Sequence, residues 1–569
     1  MTAGSSENDL SSIPTIDEVF LEQKFSTRYK VLMITLGSLA STYCGIWMIS
    51  PAFYRFTVPY TCSDQGGNMS PVSTETVHTS LDQQATCDIS DTCSAWAFNY
   101  STIDRKTSIQ QSFELVCDDE IYLKLHGSMY FLGMCFGSVL GGYLSDRMGR
   151  KKFFQLSCIF GISLSIWMAF SESLIVHLIC FCAVSAFELG AVISMFALVV
   201  EAGSANSRFA ASLLSGLSFT VGVPLCAPLA MIFENWRHLV LAISCLIFLG
   251  LFVSLFIDES PRWLWAEGRY EEVFDSVKKA YRLKNESVPP ETKKVFAALI
   301  LKGNDKKGMI SSITRDFKNV FGLPWFKGAE NNEKKYSKEE NPQFSTKSIW
   351  LIWKYPTLCV RLVILTLHWI CVNSLYYGLT FGAEMLEQNI YIFVVTQGLS
   401  GLVGNISGFI FLKYFGRKTI AVAALAFSAS CYLACAFISL SNVAVILAIT
   451  FSARAALELF FILCYLWTAD LMPTVIRTSA LGFASLVARI FGLALPFVDY
   501  LERIHNSGPL LFFAVFGYAV LMSTFLLPES KGQQLPNSLE EGNNFGRKKS
   551  QNKLEILRTK MDCVSGTEV

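Results

Sequence analysis

A chain of 569 residues with 52% hydrophobic and only 16% charged residues is too apolar for an ordinary water-soluble domain. Its mean hydropathy of +0.40 points to lipid as the solvent. Lys and Arg number 47 against 46 Asp and Glu, a net charge of +1, so no global basic excess directs the chain to nucleic acid.

Residues 1–30 are polar, and Glu18, Glu22 and Lys24 argue against a cleavable signal peptide, so insertion is expected to begin with the first apolar helix. About twenty apolar residues cross a bilayer. On that measure helices are predicted near 31–53, 125–144, 153–171, 174–200, 209–233 and 238–257, and again near 361–383, 391–414, 419–439, 443–469, 479–500 and 509–528. The predicted fold is an all-α membrane protein of twelve transmembrane helices. It has a cytoplasmic N-terminus (1–30), an N-terminal six-helix half (31–257), a cytoplasmic central segment (258–358), a C-terminal six-helix half (359–530) and a cytoplasmic tail (531–569).

The first half includes a large loop, 54–124, with Cys62, Cys87, Cys93 and Cys117. Four cysteines in one polar stretch suit a disulfide-bonded extracellular loop, with three connectivities open. The sequons at Asn68 and Asn99 add candidate glycosylation sites there. Basic residues mark the opposite side: Arg147, Arg150, Lys151 and Lys152 after helix two, Arg208 after helix four, Lys413, Arg417 and Lys418 after helix eight, and Arg477 after helix ten. Short cytoplasmic loops retain such charges. Within the central segment Tyr270 to Lys284 reads as an amphipathic helix, and Asn331 to Asn341, rich in Lys and Glu, as a solvated run.

The halves repeat. Gly149-Arg150-Lys151 returns as Gly416-Arg417-Lys418, Glu201 with Arg208 as Asp470 with Arg477, and Glu259-Ser260 as Glu529-Ser530, at offsets of 267, 269 and 270. Matches at nearly one offset argue for two homologous halves and alternating access to a site near the midplane. At these ends Asp146, Arg147, Arg150, Glu201, Arg208, Glu259 and Arg262, with Arg417, Asp470 and Arg477, are expected to form a gating charge network.

The turn Asp146-Arg147-Met148-Gly149-Arg150-Lys151 resembles the loop signature of the major facilitator superfamily. Three further strings narrow the resemblance: Asp258-Glu259-Ser260-Pro261-Arg262-Trp263-Leu264, Asp470-Leu471-Met472-Pro473-Thr474-Val475-Ile476-Arg477, and Leu527-Pro528-Glu529-Ser530-Lys531-Gly532. With Tyr376-Tyr377-Gly378-Leu379, Trp236-Arg237-His238-Leu239 and the Cys-bearing first loop, they look like the organic cation, organic anion and carnitine transporter family, from about Ile16 to Glu541. Sugar porters share the ends of helices six and twelve, but their helix-seven glutamine pair is absent; Gln397 to Gly401 in helix eight reads as packing.

Ionisable residues inside the membrane are expensive and mark function. Glu188 in helix four, Arg454 and Glu458 in helix ten and Arg489 in helix eleven are the candidates. Arg454 and Glu458, four apart, share a helical face and suit an ion pair. The resemblance implies that the Arg489 position selects charge, being acidic in cation carriers and arginine in anion and carnitine carriers. It also implies that the helix-eight acid of many members is Gly401 here, that a lysine of anion carriers is Asn405, and that an arginine of helix four is Cys182. A structural alternative pairs Arg489 with Glu458. Trp369, Tyr376, Tyr377, Phe461 and Tyr465 are the candidate aromatic wall, and His368 reads as a core residue.

No zinc-binding His pair, nucleotide-binding glycine loop or nucleophile with a neighbouring base appears, so no enzyme, cofactor or metal is expected and transport is driven by gradients. The expected function is a plasma-membrane carrier of small organic ions, anions or carnitine-like zwitterions ahead of organic cations. A sugar-porter-like carrier and a non-transporting receptor-like homologue are the remaining alternatives. The expected partners are the substrate, the bilayer and a coupling ion left open.

Overall fold

The computed structural model describes residues 27–56, 58, 60–63, 95–98, 107–201, 205–282, 293, 351–381, 390–438, 443–473, 476–505, 507–533, 536 and 538–545. Twelve long helices carry the described fold: α1 (Thr27–Ile49), α2 (Ile121–Met148), α3 (Arg150–Phe170), α4 (Leu174–Glu201), α5 (Ala205–Ile232) and α6 (Trp236–Ser254), then α7 (Pro356–Phe381), α8 (Ile390–Tyr414), α9 (Arg417–Phe437), α10 (Val443–Leu471), α11 (Arg477–Gly492) and α12 (Gly508–Thr524). Ten helical spans among the described residues are long and apolar enough to cross a membrane, and α12 is a shorter apolar helix.

α2 falls outside that group because its apolar run is diluted by glycine and polar residues, and packing explains why. Gly133, Gly137 and Gly141 recur every fourth residue and lie against Cys182, Ala186 and Gly190 of α4. A side chain at any of them would meet α4 backbone, so the small residues let the two helices touch. Elsewhere the outer surface is apolar: Phe170 is 71% exposed, Ile232 71% and Leu526 72%. In a bilayer those faces meet lipid.

Two elements were not among the expected ones. A short antiparallel ribbon, β1 (Tyr60–Ser63) against β2 (Ala95–Phe98), stands in the first loop with Cys62 opposite Trp96. The tail contains a short helix, Leu539–Asn544, whose Gly542 lies against Pro473 and Leu358. There Arg361 Nη1 donates to Gly542 O at 2.6 Å. Cys117 is disulfide-bonded. Asn68, Cys87, Cys93, Asn99 and the run 331–341 lie outside the described residues.

The halves meet along α5 against α8 and α2 against α11. Near the first-loop end this contact is tight: Ser128 Oγ donates to Leu493 O at 2.7 Å, Phe131 packs on Gly492 and on Tyr377 with ring centroids 4.9 Å apart, and Phe53 meets Tyr391 at 5.5 Å. One buried core runs through both halves.

Candidate functional site

At the basic end the repeat becomes a repeated geometry. In the first half Arg150 Nη2 donates to Glu201 Oε1 at 3.0 Å, and Arg150 Nη1 pairs with Asp146. Ser260 Oγ donates to the same Glu201, and the backbone amide of Lys151 donates to Glu259 Oε1 at 2.9 Å. In the second half Arg417 Nε lies 3.4 Å from Asp470 Oδ2, Ser530 Oγ donates to Asp470 Oδ2 at 2.9 Å, and the amides of Arg417 and Lys418 donate to Glu529 at 2.8 and 3.0 Å. Glu259 and Glu529 thus sit on the N-termini of α3 and α9, where orphan amides and the helix dipole favour an anion.

The paired glycines follow from this. Gly149 adopts φ +100, which L side chains rarely adopt, but Gly416 has an ordinary φ of −74. What they share is closeness to a carboxylate, Glu259 in one case and Glu529 in the other, in space a side chain would occupy.

Several residues stand apart from that expected network. Arg477 donates from Nε to Met472 O at 3.3 Å rather than to Asp470. Arg147 stacks on Tyr143 at 4.9 Å, and the Arg208 side chain lies outside the described residues; Arg262 is the second residue of the short helix Pro261–Ala266 that follows Ser260. The serines Ser260 and Ser530 complete each cluster. The recurrence of Glu-Ser was their signal, although the carboxylates drew the attention.

Midway along the bundle α7 and α10 bring the five expected aromatics together. Trp369 meets Tyr465 at 4.5 Å and Phe461 at 6.0 Å; Tyr376 meets Tyr377 at 5.4 Å and Phe461 at 6.2 Å. Trp369 is fixed by its Nε1, which donates to Thr468 Oγ1 at 3.1 Å. Tyr465 is 45% exposed while Tyr376 and Tyr377 are 6% and 8%. The group therefore opens past Tyr465. Tyr377 carries the wall into the first half through Phe131 and Tyr130, and Tyr130 through Phe181. Those three were invisible in a chain of 45 phenylalanines and 20 tyrosines, because only the contacts of α2 with α7 and α4 single them out.

The membrane charges make contacts beyond the expected pairs. Arg454, 2% exposed, lies over the Tyr376 ring at 3.3 Å and donates to Tyr376 O at 3.0 Å. Glu458 accepts from Asn405 Nδ2 at 3.0 Å and lies within electrostatic range of Arg454, one turn earlier on α10. Glu458 Oε2 has no hydrogen-bond partner among the described residues. Gly401 faces this oxygen and Thr220, so a side chain there would enter the Glu458 site.

Arg489 is half-buried in α11, twelve residues from Arg477 or ~18 Å at 1.5 Å per residue, about midway through a bilayer. Its Nη1 donates to the carbonyl and hydroxyl of Ser485, its own preceding turn. Among the described residues it makes no ion pair, with Glu458 or any other acid, and its buried Nε has no acceptor. Tyr377, Tyr465, Cys44 and Cys135 lie within its electrostatic range. Glu188 lies elsewhere, in a cavity inside the first half. Cys182 contributes its backbone to the α2–α4 contact. His368 is a satisfied core histidine, held by Ile364 O at 2.6 Å and Thr524 Oγ1 at 2.8 Å.

The sequence profile of the Major Facilitator Superfamily matches residues 119–496. The chain belongs to the major facilitator superfamily. Within it, the chain is 25% identical over 457 residues to an organic cation transporter-like protein of Drosophila melanogaster, covering 80% of this chain and 76% of that one. It is 25% identical to solute carrier family 22 member 6 of Rattus norvegicus (78% and 74% covered) and 28% identical to solute carrier family 22 member 1 of Bos taurus (78% and 72%). Among solved structures it resembles the xylose transporter XylE from E. coli in an inward-open conformation, with TM-score 0.57, 15% identity and 90% and 97% of the chains covered. That likeness concerns the fold.

As a superfamily member the chain is a multi-pass membrane protein of a carrier class, and its relatives carry the resemblance to organic ion transporters. The twin carboxylate-capped turns at Gly149 and Gly416 are then the basic ends of its two pseudo-symmetric halves.

Proposed function

We propose that this protein moves small organic anions or zwitterions across the plasma membrane by alternating access, with Arg489 as the ligand for the substrate's acidic group. One observation carries the reading: an arginine in the last turn of α11, about midway through the bilayer, that has no counter-ion among the described residues and a buried Nε without an acceptor. Arginine stays charged at any physiological pH and offers planar donors suited to carboxylate or sulfate. The aromatic wall around it suits apolar, variable substrate bodies. The names of the relatives, spanning organic cation transporter-like proteins and solute carrier family 22 members, support a carrier of organic ions.

By the positive-inside rule the Arg150 and Arg417 ends, with both termini and 258–358, are cytoplasmic. The tight contact of the halves at the first-loop end then closes the outside, and the exposed Tyr465 leads inward. Glycosidase treatment is expected to shift the wild-type band and to leave an Asn68→Gln/Asn99→Gln double variant unshifted. A first loop accessible only from the cytoplasm ends this topology.

Uptake of radiolabelled organic anions, zwitterions and cations of similar size by cells expressing the protein tests the substrate class. Saturable uptake of anions or zwitterions is expected; uptake confined to cations favours the second reading. That reading, an organic cation carrier, draws on Glu458, a buried membrane carboxylate whose Oε2 lacks a hydrogen-bond partner among the described residues.

The end clusters act as gates in this scheme, making and breaking contacts between states. Glu201 accepts from both Arg150 and Ser260, whereas Asp146 is a largely exposed partner of Arg150. Glu201→Gln is therefore expected to lower turnover more than Asp146→Asn, with apparent affinity less changed in both. Initial-rate kinetics check this; a change in substrate preference with turnover intact would contradict it.

A further inference from the structure

The first half holds a polar site that the aromatic cavity does not use. Between α1, α3, α4 and α6 lies a cavity of about 30 Å³, room for water, which needs about 10–15 Å³. Its walls are mostly apolar, with Val184, Phe187 and Ile247 among them, but Glu188 from α4, Tyr43 from α1 and Ser157 from α3 border it. Glu188 is 5% exposed, Ser157 2% and Tyr43 9%. The Cys44 thiol is the one neighbour that reaches the Glu188 carboxylate as a weak donor; no stronger donor meets either carboxylate oxygen, and neither Tyr43 Oη nor Ser157 Oγ has a hydrogen-bond partner among the described residues. Buried polar atoms are rarely left unpaired, and an ionised carboxylate in apolar surroundings is among the costliest groups to bury. Four buried oxygens without a strong partner at one cavity imply something that completes them.

The ionisable groups facing Glu188 are Tyr43 and Cys44 from α1, Cys158 from α3, Tyr130 from α2 and Tyr377 from α7, while α6 presents Leu246, Ile247 and Gly250. None is basic, so the carboxylate has no counter-ion among the described residues. The walls carry few oxygens and one thiol, Cys158, with the Cys44 thiol beside Glu188, a poor shell for a hard cation such as sodium, which binds through oxygen. A proton needs only the carboxylate.

We propose that Glu188 is the binding site of a proton that travels with the substrate. The proton forms an O–H bond with one carboxylate oxygen, and that hydroxyl donates to Ser157 Oγ, Tyr43 Oη or a water between them. On release the O–H bond breaks, the proton passes to water and the carboxylate remains. Cys44 lies within electrostatic range of both Glu188 and Arg489, so the two lone charges flank one residue of α1. Resting on the anion reading above, the substrate compensates Arg489 while the proton compensates Glu188. The loaded carrier then closes around no uncompensated central charge, which lowers the desolvation cost of the movement.

Purified protein in proteoliposomes tests this with radiolabelled p-toluenesulfonate, a strong acid that stays ionised and does not cross as a neutral species. With the outside one pH unit more acidic, accumulation of about tenfold is expected for one proton per anion, and adding substrate without a gradient should alkalinise the outer medium. Glu188→Gln should let the anion equilibrate without accumulating. Uptake by the wild type that ignores the pH gradient, or accumulation that follows a sodium gradient at equal pH, overturns the inference and leaves the anion reading intact. No uptake of the anion under any gradient counts against both. Should Glu188→Gln fail to reach the membrane, Glu188→Asp, which keeps a carboxyl but draws it back by one methylene, is expected to shift the pH of half-maximal coupling, and an unshifted value overturns the proposal.

Discussion

Arg489→Ala is expected to reduce uptake of organic anions or zwitterions at least thirtyfold while the protein reaches the cell surface in near-normal amounts. Removing one partner of a hydrogen-bonded charge pair in a partly desolvated site costs about 2–5 kcal/mol, roughly thirtyfold or more in affinity. The folded protein has little to lose, because Arg489 donates only to Ser485 in its own helix and makes no ion pair among the described residues. For the same reason Arg489→Ala/Glu458→Ala should restore nothing: Glu458 already has Asn405. Arg489→Asp should remove anion uptake and admit cations. Uptake and surface abundance measured together decide the matter. Intact anion transport by well-expressed Arg489→Ala would return the cation carrier to first place, and rescue by the double variant would reinstate the Arg489–Glu458 pair.

Gly45→Val is expected to have the largest effect on folding. Gly45 of α1 and Gly222 of α5 lie at a backbone-to-backbone crossing: a Cβ on Gly45 would meet Phe219 O, and one on Gly222 would meet Thr42 O. Polar contacts hold the same crossing, Ser41 Oγ to Ser215 Oγ at 2.7 Å and Thr42 Oγ1 to Ser218 O at 3.1 Å. In lipid no hydrophobic force drives helices together, so close approach and these hydrogen bonds supply the association. A valine there meets backbone, which cannot rotate aside, and overpacking of this kind costs about 1–3 kcal/mol or more. Loss of surface protein and a lowered Tm in detergent are expected. Gly482→Ala is the control, since nothing lies within 4 Å of a Cβ built there. Normal abundance and Tm for Gly45→Val would mean that the crossing is looser than described.

The twelve helices and the repeat of charged turns were legible in the sequence because hydropathy and loop charge are local properties that survive without knowledge of neighbours. Even so, hydropathy alone undervalues α2, whose glycines make sense only against α4. The aromatic residues of α7 and α10 were readable as a wall, yet Tyr130 and Phe131 joined it only through the packing of α2 on α7. Charge pairing was the part that tertiary structure decided. Spacing of four on α10 suggested that Arg454 binds Glu458; the structure adds Tyr376 O from α7 as an acceptor for Arg454 and Asn405 from α8 as a donor to Glu458, while the two charges stay within electrostatic range. Arg489 and Glu188 were visible as intramembrane charges from the sequence. That neither has a counter-ion among the described residues follows from which helix faces meet, and those contacts join residues far apart in the chain, where no local periodicity records them.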